Sequence, residues 1–258
     1  MSLKTIAFYN QKGGVGKTTL AVNFAYLGAR NGFRTLLWDL DPQASATFIM
    51  RVDEKLAPKA KDILGKNVEL EDLAVRSNFT NLHVVPASIR LRLLSERIFE
   101  NSKPSSVIER ATKSARSTFD LIVVDAPPSL NALSDSLLGA IDLLCIPLQP
   151  SALSAHSLEA LVTHLKSASL LNRSIAIYNM VDMRRISHRQ AVQNREAAKC
   201  LQLLDVVLPY SADMERMATE RNPFFELHSR SNVGKALEEM YSSLSEALFN
   251  PSKAPKAK

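Results

Sequence analysis

Residues 10–19 read Asn10-Gln11-Lys12-Gly13-Gly14-Val15-Gly16-Lys17-Thr18-Thr19, and what flanks them decides the fold. An apolar, β-branched run, Thr5 to Tyr9, precedes them, and a helical pattern begins near Lys17. Strand, glycine loop and helix in that order make a phosphate cradle. Backbone N–H groups of the loop and of the helix N-terminus point at the anion, and the glycines let the backbone approach it. Gly13, Gly14, Val15, Gly16, Lys17, Thr18 and Thr19 are the expected nucleotide contacts; Lys17 reaches the β- and γ-phosphates and the Thr18 hydroxyl binds Mg²⁺. The standard spacing G-x-x-x-x-G-K-[ST] would place glycine at position 11, where this chain has Gln11; instead a second lysine, Lys12, stands five residues before Lys17. A plain glycine turn with two solvated lysines is the competing reading. The agreement of strand, loop, helix and a downstream acidic strand end weighs against it.

Outward from the loop, short apolar runs alternate with longer segments of helical spacing, as in a parallel sheet covered by helices. Expected strands are Thr5–Tyr9, Arg34–Asp39, Leu82–Pro86, Leu121–Asp125, Leu143–Pro147, Ile175–Met180 and Val206–Pro209. Several are apolar throughout, as strands buried on both faces should be. Leu158, Leu161, Val162 and Leu165 share one helical face, as do Val233, Leu237, Met240, Tyr241, Leu244 and Leu248. The fold class is therefore α/β, a mostly parallel, doubly wound sheet flanked by helices on both faces. One domain is expected over 1–250, with a flexible basic tail at 251–258 and an excursion from the sheet over 50–81.

Of the 258 residues 46% are hydrophobic, enough for a sizeable core, so a mainly disordered chain is excluded. Cys145 and Cys200 are too few and too far apart for a disulfide framework or a Cys-x-x-Cys site, and a reducing, cytoplasmic compartment is expected. The apolar run after Met1 is too short for a signal peptide, and no stretch approaches the roughly 20 apolar residues of a membrane span. A soluble protein is expected.

Three boxes carry a family resemblance. Lys12-Gly-Gly-Val-Gly-Lys17-Thr-Thr resembles the deviant Walker A box of the ParA/MinD ATPases, Asp39-Leu-Asp41-Pro42-Gln43 the second box, and Phe119-Asp-Leu-Ile-Val-Val-Asp125-Ala-Pro127-Pro128-Ser129 the Walker B box. In outline the resemblance continues through Ile146-Pro147-Leu148-Gln149-Pro150 to the last helix. It implies an ATP- and Mg²⁺-dependent ATPase in which Lys12 crosses a homodimer interface to the partner's nucleotide, Asp41 lies near the attacking water and Asp39 belongs to the magnesium's outer shell. Asp41 as a plain N-cap of a helix after Pro42 stays open. Asp125, ending a strand of apolar residues, needs a cation, and Mg²⁺ through a water is the obvious one. The resemblance also implies that Asn179 and the backbone after Pro209 hold the adenine, although an Asn at a strand end is also a common turn former.

The formal charge of +6 is localised. Residues 183–201 set Arg184, Arg185, Arg189, Arg195 and Lys199 against Glu196 alone; residues 88–118 carry seven basic and three acidic residues, and the tail adds Lys253, Lys256 and Lys258. Basic clusters suit the phosphate backbone of duplex DNA, and the absence of interleaved aromatics from 183–201 argues against stacked single-stranded bases, while solvated helix faces are the bland alternative. Arg216, Arg221 and Arg230 form a second candidate group. If each protomer contacts about four phosphates, dimerisation steepens the salt slope from roughly −3.6 to roughly −7, so DNA binding becomes conditional on ATP. The expected protein is nucleoid-associated, bound non-specifically to DNA, stimulated by a ParB-like or other adaptor, and positions a plasmid, a chromosome origin or a protein cluster. A MinD-like membrane switch is disfavoured because Glu238, Glu239 and Glu246 make the polar face of the last helix acidic. A reductase resembling the nitrogenase iron protein lacks its cluster cysteines, and an ATP-dependent ligase remains an alternative on the same scaffold.

Overall fold

The computed structural model describes residues 2–65, 69–101, 103–199 and 201–250. Its strands are β1 (Lys4–Phe8), β2 (Thr35–Asp39), β3 (Val75–Arg76), β4 (Leu82–Val85), β5 (Leu121–Asp125), β6 (Leu143–Leu148), β7 (Ser174–Val181) and β8 (Gln202–Pro209). The helices are α1 (Lys17–Arg30), α2 (Ser45–Ile49), α3 (Ala60–Leu64), α4 (Leu94–Phe99), α5 (Val107–Ser114), α6 (Ala132–Ala140), α7 (Ala152–Ser167), α8 (Ile186–Gln193), α9 (Arg216–Glu220), α10 (Phe224–His228) and α11 (Asn232–Phe249).

All eight strands join one sheet in the order β3-β4-β2-β5-β1-β6-β7-β8, parallel except for β3. Strands β2, β5 and β6 are buried along their whole length, which explains their unbroken apolar sequence. Alternate side chains feed two cores. Trp38, Val124 and Ile146 pack toward α3–α7, while Phe8, Leu37 and Val123 pack toward α1, α10 and α11. Helix α1 lies close on the sheet because residue 28 is glycine: a Cβ there would come within 2.7 Å of Leu121 Cδ2. Strand order reverses around β1, so the loop after β1 opens at the topological switch point, where such sheets bind ligands.

The expected strands all form, with two differences. Strand β8 begins at Gln202 and not at Val206, since an edge strand with one wet face carries polar residues such as Asp205. The stretch 50–81 is not wholly an excursion: β3 returns to the sheet edge, pairing Val75 with Val84 and Arg76 with His83 in the antiparallel sense. Two residues are too few to show a period. The tail at 251–258 and Cys200 lie outside the described residues, and Cys145 is a buried core residue whose thiol pKa is pushed up by burial.

Candidate active site

Three adjacent strands deliver the site. In register, Asp39 of β2 pairs with Asp125 of β5, which pairs with Phe8 of β1, so both carboxylates and the loop after β1 share the carboxyl edge of the sheet.

The loop turns on Gly14 and Gly16, at φ 72° and 92° in the left-handed region. Gly16 is constrained twice, because a Cβ there would stand 2.2 Å from Asn179 Nδ2. Loop carbonyls are taken up from behind. Lys17 Nζ donates to Lys12 O (3.3 Å), Gln149 Nε2 to Gly14 O (3.2 Å), Asn179 Nδ2 to Val15 O (2.8 Å) and Leu20 N to Gly16 O (3.0 Å). Asn10 anchors the entry, donating to Pro147 O at 2.8 Å and accepting from Lys12 N at 2.9 Å. No acceptor among the described residues takes the backbone N–H groups of residues 13–19. Unpaired amides at a helix N-terminus, beside a buried lysine, fit a polyphosphate.

The acids behave differently from one another. Asp39 is fully engaged: Oδ2 accepts from Thr47 N (2.9 Å) and Thr47 Oγ1 (2.7 Å), and Oδ1 accepts from Asp41 N (3.1 Å). Thr47 Oγ1 in turn accepts from Ala87 N at 2.8 Å. Burial still raises the Asp39 carboxyl to about 7, with the Thr47 and Asp41 bonds working the other way. Both Asp125 oxygens are buried without a hydrogen bond of normal geometry. Burial first, then the charge of Asp39, raises Asp125 well above the ordinary carboxylate value; the Thr18 hydroxyl and Lys17 lower it. Lys17 itself is pushed down by burial, against Asp125 and Asp41. An orphaned carboxylate beside a threonine hydroxyl fits a divalent cation. Among the described residues no three His, Cys, Asp or Glu side chains gather into a cage, which suits an ion that keeps waters and phosphate oxygens as ligands.

Asp41 is half-buried, and its Oδ1 accepts from Gln43 N at 3.0 Å. It does not cap α2, whose first residue is Ser45 and whose N-cap is Ala44. Lys12 Nζ donates to Ser154 Oγ (3.1 Å) in the first turn of α7. On the other side of the loop, Asn179 and Pro209 line one cavity of about 240 Å³ with Thr19, Met180 and Tyr210. Met180 has φ 56°, at a register shift between β7 and β8. For Asn179 to meet a base through Nδ2 it would exchange its bond to Val15 O.

The arginines follow the carboxyl ends of β7 and β8. Arg184 is clamped by Asp182 (Nε–Oδ1 2.9 Å, Nη2–Oδ2 3.0 Å), Arg195 by Asp205 (2.6 Å) and Arg216 by Glu220 (Nε–Oε1 2.8 Å). Arg221 donates to Phe48 O and lies 4.5 Å over the Phe48 ring. Arg185 and Arg189 have no acidic partner among the described residues. Sequence reading missed Thr47, Asn10, Gln149 and Ser154. Gln149 lies in a quoted box, but a hydrogen bond to a loop carbonyl leaves no pattern in the chain.

Fold and site define a P-loop nucleotide hydrolase of the deviant type, with a second lysine opening the loop. A family model described as an AAA domain matches residues 3–177. The chromosome-partitioning ATPase Soj of Treponema pallidum is 32% identical over 186 residues, 70% of this chain and 73% of that protein. The chain belongs to the ParA/MinD family of P-loop ATPases. An ATP complex of Cyanothece McdA superposes with a TM-score of 0.82 at 23% identity, over 94% of this chain and 96% of that one. Cobyrinic acid a,c-diamide synthase of Mycobacterium smegmatis, solved with ADP and magnesium, gives 0.82 at 24% over 98% of each. These likenesses share the fold. No helix among the described residues is long and apolar enough to cross a membrane.

Proposed function

We propose that this ParA-like ATPase is a switch: ATP closes a homodimer, the dimer binds duplex DNA without sequence preference, and hydrolysis stimulated by a ParB-like adaptor releases it. It would work in the cytoplasm on the nucleoid, positioning a replicon or a protein cluster. The observation that carries the reading is Lys12. Its ammonium rests on a neutral serine hydroxyl in the first turn of α7, at the positive end of the helix dipole, where a cation is disfavoured by about 0.3–1 kcal/mol. It is thus weakly held and available to a phosphate. Leu153, 73% exposed beside Ser154, and Leu130, 49% exposed after the Walker B prolines, offer apolar surface for a second protomer.

Mg²⁺·ATP, when bound, supplies the transferable phosphoryl group and neutralises its charge. The amides of residues 13–19 and Lys17 bind the phosphates, Thr18 and Asp125 hold the cation, and Asn179 and Pro209 border the base. Asp39, held by Thr47, fixes the backbone of Asp41, whose carboxylate orients the attacking water. Tyr9 Oη donates to Ser129 O at 2.9 Å, tying the Walker B loop to the strand that carries the cradle. For DNA, Arg185 and Arg189 have no acidic partner among the described residues, whereas Arg184, Arg195 and Arg216 each have to give up a carboxylate to take a phosphate. The last helix does not serve as a membrane anchor, because Leu237, Met240, Leu244 and Leu248 are buried in the core.

The test is anisotropy of a labelled non-specific duplex. Tight binding is expected only with ATP, and charge reversal at Arg184, Arg185 and Arg189 removes it while the ATP dimer persists on sizing. Binding indifferent to nucleotide sinks the switch reading.

A further inference from the structure

On the opposite edge of the sheet from those arginines, the turn after β4 and the helix α3 enclose an open groove of about 550 Å³. Lys59, Lys61, Arg90, Arg92 and Arg97 line it, all exposed, and no acidic side chain does. None of the five forms an ion pair among the described residues; Arg90 alone reaches a backbone carbonyl, that of Lys55, at 3.4 Å. Between the cations stand Ile89 and Leu93, 61% and 40% exposed. The local sequence Ile89-Arg-Leu-Arg-Leu-Leu94 explains the arrangement. Leu91 and Leu94 turn into the core, and the short 3-10 turn Ile89–Leu93 leaves Ile89, Arg90, Arg92 and Leu93 outside.

Unpaired cations crowded on a concave surface repel one another, a cost relieved by a negatively charged partner. Two anionic partners differ in what they do with the aliphatic residues. A duplex phosphate backbone offers nothing apolar to cover Ile89 and Leu93, whereas a protein segment offers carboxylates and apolar side chains together. A groove of this size takes a few side chains of an inserted segment.

We propose that this groove is a docking site for an acidic, amphipathic segment of a partner protein, its carboxylates meeting Arg90, Arg92 and Arg97 and its apolar residues covering Ile89 and Leu93. The site is separate from the nucleotide cradle and from the arginines given to DNA, and does not depend on either assignment.

The test uses the full chain and two labelled probes: a peptide with Glu and Asp on one helical face and Leu and Phe at i, i+3 and i+4 on the other, and a non-specific DNA duplex. The wild-type chain should bind the peptide saturably. Arg90→Glu with Arg92→Glu and Arg97→Glu should weaken that binding at least roughly tenfold, since several charge-assisted contacts are lost. Ile89→Ser with Leu93→Ser should weaken the peptide and leave the duplex unchanged, and reversal at Arg184, Arg185 and Arg189 should leave the peptide unchanged. All the substituted residues are exposed, so folding is not at stake. Absence of saturable peptide binding by the wild type overturns the proposal. So does loss of duplex binding, without loss of peptide binding, in the groove variant, which would make the groove a nucleic-acid surface.

Discussion

Replacing Thr47 by valine keeps the shape of a fully buried side chain and removes only its hydroxyl. That hydroxyl donates to Asp39 Oδ2 at 2.7 Å and accepts from Ala87 N at 2.8 Å. The substitution strands the buried Ala87 N–H and takes a charge-assisted bond from Asp39, each costing about 2 kcal/mol, together about 4 kcal/mol. For a chain of 258 residues this lowers the melting temperature by roughly 8–16 °C. Thr47→Ser keeps both bonds and loses one methyl group, about 1 kcal/mol. Thermal unfolding followed by circular dichroism measures the three proteins side by side. Turnover supplies the second readout: Asp39 Oδ1 holds the Asp41 N–H, so Thr47→Val lowers the rate of ATP hydrolysis at saturating ATP and Thr47→Ser restores it. A Thr47→Val protein melting within about 3 °C of wild type, or a serine variant that falls as far as the valine one, refutes the reasoning.

Gly16→Ala places a methyl group against Asn179 at a left-handed φ and should abolish ATP binding in calorimetry while leaving most of the fold intact; retained affinity would mean the loop can move aside. Asp125→Asn removes a buried carboxylate without hydrogen bonds, so the nucleotide-free protein should melt roughly 4–8 °C higher, about 2 kcal/mol, and lose the further stabilisation by Mg²⁺·ATP. Its advantage should grow from pH 5 to pH 8. An acid whose folded pKa is raised binds more protons folded than unfolded, so Asp39 makes both proteins lose stability as pH rises through that window and Asp125 adds a further loss in the wild type; a constant difference counts against a raised Asp125. Lys12→Ala should leave the protein monomeric with ATP by light scattering, and a dimer would remove the cross-interface role. Asp41→Ala should hold an ATP dimer on DNA, and normal hydrolysis by that variant would remove Asp41 from the reaction.

What the sequence makes legible here is whatever a strand or a loop expresses in consecutive residues. Leu121-Ile-Val-Val-Asp125 declares both a buried strand and the carboxylate at its end, because no solvent-facing position interrupts the run before the acid. The glycine loop is legible for the same reason. Side chains that support it from elsewhere are not: Asn179 reaches Val15 across 164 residues and Gln149 reaches Gly14 across 135, through bonds that any Asn or Gln can make. Thr47 is illegible because its role depends on β4 lying beside β2, which brings Ala87 to it.

Surface charge fails in a different way. Counting residues 183–201 leaves out Asp182 by one position and Asp205 by four, yet these are the acids that clamp Arg184 and Arg195. The cluster after β7 is therefore less electropositive in three dimensions than along the chain. The 88–118 cluster changes the other way, because α3 brings Lys59 and Lys61 to Arg90, Arg92 and Arg97 from outside the window. Phosphate-backbone binding depends on how many cations a surface frees for contact. Arg185 and Arg189 should thus carry more of the DNA affinity than Arg184 or Arg195, and single substitutions should rank in that order by salt-dependent anisotropy. Equal losses at all four positions would show that the carboxylate clamps open without cost when DNA arrives.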